Sequence, residues 1–95
     1  MKTTINNKRY DTKKCETLGE IEHYSTSNNY SGTTYLLRAS DGKLIVFCDT
    51  NGQDCFMSDY ITTFAKSEYN NIDDFMISEE QEKRCAELGL IEIIF

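Results

Sequence analysis

Along the 95 residues the apolar positions fall in short clusters divided by Asn, Asp, Gly and Ser, a rhythm of small elements rather than long helices. Residues 1–5 predict an edge strand, and the INNK that follows supplies asparagines that tolerate a tight turn. Asp11 suits the N-cap of a short helix over 12–18, with Cys15 and Leu18 at i, i+3 on its inner side and Gly19 just past its end. EIEHYST, residues 20–26, alternates Ile21, His23 and Ser25 against Glu22, Tyr24 and Thr26, which predicts a half-exposed strand; SNNYSG, 27–32, then reads as a loop.

The strongest local signal follows. TTYLLRAS (33–40) and KLIVFCDT (43–50) flank Asp41-Gly42, a hairpin signature because both residues accept φ > 0. Leu44 to Cys48 does not alternate, as expected of a central strand covered on both faces. NGQD, 51–54, is a second turn signal before a short strand at 55–57. Ser58 is placed to cap a helix to about Tyr69, with Tyr60, Ile61, Phe64 and Ala65 on one side.

Beyond the turn-like YNNIDD, Phe75-Met76-Ile77 predicts a short strand. Ser78-Glu79-Glu80-Gln81 is then a capping box with two acids where the helix dipole favours them. That helix should run to about Leu88 and stop at Gly89, and the tail LIEIIF predicts a terminal strand. Together these elements predict an α+β fold, a small antiparallel sheet around the hairpin 33–50 with two or three short helices, in one domain covering 1–95.

Composition narrows the function. Hydrophobic residues at 39% and aromatics at 12% suffice for one small core. No run approaches the ~18–20 apolar residues of a membrane span, and MKTTINNKRY lacks the apolar centre of a signal peptide, so a cytoplasmic protein is expected. There Cys15, Cys48, Cys55 and Cys85 should be free thiols, the first, second and fourth as small buried residues. Their gaps match no zinc-ligand spacing, and the single histidine, His23, has no Cys or His within six positions, so no metal and no cofactor is expected.

Charge is distributed unevenly. Residues 1–48 carry seven Lys/Arg against five Asp/Glu, net +2; residues 49–95 carry three against eleven, net −8; together they give the −6 of the chain. So acidic a surface opposes general nucleic-acid binding, which draws its affinity from Lys/Arg contacts, and suits a basic partner. The basic group Lys8, Arg9, Lys13 and Lys14 is small and poor in aromatics; it supports only the alternative of an accessory or regulatory protein of a mobile element that contacts DNA or protein.

Catalytic signatures are missing from the sequence: no Gly-rich phosphate loop, no G-x-S-x-G, no H-E-x-x-H, and no D-x-D-x-D calcium loop around Asp49, Asp54 and Asp59. A Cys48 or Cys55 nucleophile with His23 as its base is the one catalytic pairing the residue types leave open, and nothing is placed to orient it. The chain reads as a binding protein, not an enzyme.

In order along the chain, NNKRYDTKKCETLGE, YLLRASDGKLIVF, MSDY and MISEEQEKRCAELG resemble a group of small proteins of Firmicutes and their phages. Its scheme is G-K-x-Y-D-T-x-x-A, then L-Y-R-T-x-x-G-x-F-F-L on a hairpin, then M-S-x-Y, then a P-L-S-E-E-E-A-x-x-W helix. Cys15 stands where the group has Ala, Asn7 where it has Gly, and Gln81 and Cys85 where it has an acid and an aromatic. Several proteins built on this module act as anti-CRISPR inhibitors. The resemblance implies that Tyr10 packs on the hairpin while Asp11 caps, and that the chain binds a CRISPR-Cas effector and blocks target DNA recognition or cleavage.

Combined with the charge, that implication suggests DNA mimicry. The expected partner-binding residues are Asp49, Asp54, Asp59, Asp73, Asp74, Glu79, Glu80 and Glu82 as phosphate surrogates, with Tyr60 and Tyr69 as aromatic anchors. No direct nucleic-acid or membrane contact is expected, and the two predicted outer strands could pair in a homodimer.

Overall fold

The computed structural model describes residues 2–24, 30–50 and 60–94. Two asparagines start the fold. Asn6 and Asn7 both take positive φ, 51° and 65°, which turns β1 (Lys2–Ile5) directly into β2 (Lys8–Asp11), with Ile5 opposite Lys8. Asp11 then caps as expected, its carboxylate accepting the Lys13 N–H at 3.1 Å.

The helix expected over 12–18 is corrected to a single 3-10 turn, Thr12–Lys14, after which β3 (Glu16–Tyr24) begins. A spacing of three puts two residues on one side of a helix but on opposite faces of a strand. The strand wins because both faces are in use: Leu18 is fully buried in one core cluster and Cys15 packs against the other.

The hairpin stands as the sequence indicates, β4 (Tyr30–Arg38) against β5 (Leu44–Asp49), with Tyr35 opposite Phe47 and Leu36 opposite Val46. Its turn is tighter in chemistry than expected: of Asp41 and Gly42 only Gly42 has positive φ, 89°. Gly42 N–H donates to Ala39 O and Ala39 N–H to Lys43 O, both at 2.9 Å, so Ser40, Asp41 and Gly42 make a three-residue loop. Tyr30, Ser31 and Gly32, expected in a loop, belong to β4.

The helix expected to run to Tyr69 is also corrected. Residues Tyr60–Thr63 form β6, paired with β5, and Phe64–Lys66 and Ile72–Asp74 are 3-10 turns. The β-branched run Ile61-Thr62-Thr63 fits a pleated edge better than a helix. The expected strand at 55–57 and the Ser58 cap lie outside the described residues. Phe75 to Ile77 contributes a single bridge, Met76 to Glu20.

The capping box forms in full. Ser78 Oγ accepts the Gln81 N–H at 3.2 Å while Gln81 Oε1 accepts the Ser78 N–H at 2.8 Å, opening α1 (Glu79–Glu87). At its end Leu90 N–H donates to Cys85 O and Gly89 N–H to Ala86 O, the paired bonds of a Schellman motif. The tail is not the strand expected: residues 91–94 pair with no strand among the described residues. Leu90 and Ile91 are laid against the core instead.

Among the described residues the architecture is thus a four-stranded antiparallel sheet, β3-β4-β5-β6, a separate two-stranded sheet, β1-β2, and one α-helix. Alternation along the hairpin feeds two cores. Leu36 and Val46 join Leu18, Phe75 and Cys85 on the α1 side, whereas Leu37 and Ile45 join Tyr10 and Ala39 under the β1-β2 hairpin. β5 is therefore covered on both faces, as its unbroken apolar run indicates. No helix among the described residues is long and apolar enough to cross a membrane.

Candidate interaction surface

Residues 73–82 hold five carboxylates and no Lys or Arg. Local chemistry places them. Asn71 Oδ1 accepts the Asp73 N–H at 3.1 Å and fixes the 3-10 turn that carries Asp73 and Asp74. Four residues on, the capping box sets Glu79, Glu80 and Glu82 in the first turn of α1, beside the positive end of the helix dipole. All five side chains are exposed.

Among the described residues their charge is not spent on an ion pair: the pairs are Lys8–Asp41, Arg84–Glu16 and Arg84–Glu87, so none of these five carboxylates has a cation. Of the two cations on α1, Arg84 is held on Glu16 Oε2 at 2.8 Å, and Lys83, at i+4 from Glu79, is in none of the ion pairs among the described residues. The Glu20–Met76 bridge brings a further exposed carboxylate, Glu20, alongside this segment, which only long-range pairing could show.

The other expected residues divide. Asp49 lies on β5 in step with Ile45 and Phe47, on the sheet face away from α1, where it lines a cavity of about 300 Å³ with Thr12, Lys13 and Thr17; the structure does not bring it to 73–82. Asp54 and Asp59 lie outside the described residues. Tyr60 and Tyr69 are half-buried and pack against the α1-side core, Tyr69 with its ring 5.8 Å from His23 and 6.5 Å from Phe75.

Tyr69 borders the acidic segment through its ring contact with Phe75, whereas Tyr60 lies on β6, the sheet edge opposite β3. Burial first, then the neighbouring Cys48 and Glu68, push the Tyr60 phenol up to about 12. Burial, Glu68, Cys48 and Asp74 raise Tyr69 as well. Glu68, which residue type alone did not single out, is thereby tied to both tyrosines, and its adjacency to Tyr69 in the chain was the available signal.

Of the residues of the catalytic pairing, His23 has its Nε2 2.7 Å from Thr34 Oγ1, Cys48 is fully buried, and Cys55 lies outside the described residues. Among the described residues no three His, Cys, Asp or Glu side chains are grouped to hold a metal ion. The basic residues Lys8, Arg9, Lys13 and Lys14 fall into three settings. Lys8 is spent on Asp41, Lys13 lines the cavity with Asp49, and Arg9 and Lys14 line a different one. Comparison with protein-family models, with curated proteins and with solved structures found no match for this chain.

Proposed function

We propose that the chain is an inhibitor that binds a CRISPR-Cas effector and presents residues 73–82 to a cationic, nucleic-acid-binding groove of that effector. One observation carries the reading: five exposed carboxylates within ten residues, on two capped turns, none of them ion-paired among the described residues. The effector as partner comes from the resemblance of the motifs around Tyr10, Asp41-Gly42 and Ser78.

Charge density supports mimicry. Glu79, Glu80 and Glu82 place three negative charges within about 4.5 Å of helix rise, at ~1.5 Å per residue. A DNA strand carries one phosphate per ~3.4 Å of axis. A groove built for phosphates therefore attracts the helix start, and contact would release counterions bound to the two surfaces. Tyr69, at the border of the segment, adds apolar contact area, and Tyr60 would do so only if the interface extends to β6.

Gel filtration of the purified effector–guide complex with this protein, with and without target DNA and at two salt concentrations, tests the reading. Coelution that excludes DNA and weakens with salt is expected. Coelution that leaves DNA binding intact would overturn mimicry.

A further inference from the structure

The opposite end of the charge distribution forms a site of its own. Lys2 from β1, Arg9 from β2 and Lys14 from the 3-10 turn converge on a cavity of about 300 Å³ that also takes in Asp11 and Ser40. Among the described residues none of the three cations is in an ion pair. The single carboxylate there, Asp11, uses Oδ1 to cap the turn through the Lys13 N–H, so the lining carries a net charge of two positive. Convergent like charges repel, and in a molecule of net −6 nothing about solubility requires them to share one concavity.

We propose that this cavity binds a small phosphate monoester. A doubly charged phosphoryl group matches the net charge. Arg9 offers a planar fork suited to two phosphate oxygens, Lys2 and Lys14 supply point charges, and the Ser40 hydroxyl is a further donor. The volume lies at the lower limit of small-molecule sites, about 300 Å³, which fits a mononucleotide-sized ligand and not a duplex. The walls are rigidly set: Tyr10, on the same strand as Arg9, is buried and bonded through its hydroxyl to Asp41, which fixes β2 against the turn that carries Ser40.

Amide NMR titration of the full chain at low salt with inorganic phosphate, adenosine monophosphate and adenosine tests this. Phosphate and the monophosphate should give saturable shifts at residues 9–15 and 39–40, and adenosine none. Arg9→Gln and Lys14→Gln, both at exposed positions, should each weaken monophosphate binding roughly tenfold while keeping the dispersed spectrum. Lys8→Gln is the control, because its ammonium is engaged by Asp41 and does not line the cavity. Absence of saturation by ~10 mM ligand, equal shifts with adenosine, or an effect of Lys8→Gln as large as that of Lys14→Gln would overturn the site. Shifts at these amides with duplex DNA but with neither phosphate compound would overturn it too.

Discussion

The Tyr10 hydroxyl donates to Asp41 Oδ2 at 2.7 Å, fastening the small β1-β2 hairpin to the turn of the large one 31 positions away. Asp41 also accepts the Lys43 N–H at 3.0 Å through Oδ1 and lies 3.7 Å from Lys8 Nζ. The Tyr10 bond first, then the Lys43 N–H, hold its carboxyl below the usual carboxylate range, and the same contact raises the Tyr10 phenol.

An acid dependence follows from that latch. Because the folded state depresses the Asp41 pKa, its contribution is complete above the unfolded value of about 3.9 and is lost as pH falls through the lower folded value. Thermal melts between pH 7 and pH 2 should show Asp41→Asn less stable than the parent at neutral pH, with the two curves converging in acid. A constant gap at every pH would contradict the latch.

At the alkaline end Tyr60 contributes, together with the raised Tyr10 and Tyr69 phenols. The Tyr60 phenol ionises near 12 when folded and near 10 when unfolded, so the stability it contributes is whole below pH 10 and disappears between about 10 and about 12. Ultraviolet titration of phenolate absorbance should show a late-ionising class that Tyr60→Phe reduces. A single ordinary transition near 10 for every tyrosine would refute the burial.

Gly19 marks the closest approach of two elements. A Cβ there would lie 2.9 Å from Phe75 Cβ and 3.0 Å from Ile77 Cγ2, against the segment that leads into α1. Gly19→Ala should cost about 1–3 kcal/mol in urea unfolding, the usual range for overpacking. A neutral substitution would mean that the segment 75–77 is not seated on β3.

The capping box supplies a third stability measurement. Ser78→Ala removes the acceptor of the Gln81 N–H and should cost about 1 kcal/mol in urea unfolding. A stability equal to the parent's would show that α1 does not start there.

Where structure depended on signals a few residues long, the sequence was readable. Asn6-Asn7, Asp41-Gly42, Asp11 and Ser78 with Gln81 each satisfy or redirect neighbouring backbone groups, and each does so in the fold. The helices expected over 12–18 and up to Tyr69 failed for one reason. Cys15 with Leu18 and Tyr60 with Ile61 serve different sides of a sheet that has a core on both faces, and apolar spacing cannot distinguish one shared helical face from two sheet faces. The tail failed because a β-forming run can also cover a core without pairing, as Leu90 and Ile91 do.

The acidic segment was legible as composition, since carboxylates seldom bury. What composition could not show is which are engaged. Arg84 reaches back to Glu16 across 68 positions, Lys8 goes to Asp41, and Asp49 falls on the other face of the sheet. The patch that remains is narrower than the acidic half of the chain, and it is contiguous in sequence.

The most direct test is a competition measurement: displacement of fluorescent target DNA from a purified CRISPR effector–guide complex by this protein and by a variant with Asp73, Asp74, Glu79, Glu80 and Glu82 changed to Lys or Gln. The parent should displace DNA in a salt-sensitive manner, and the folded variant should lose at least about a hundredfold in potency, given the number of charges removed. Equal displacement by the two proteins, or none by the parent at low salt across effector types, would contradict the account.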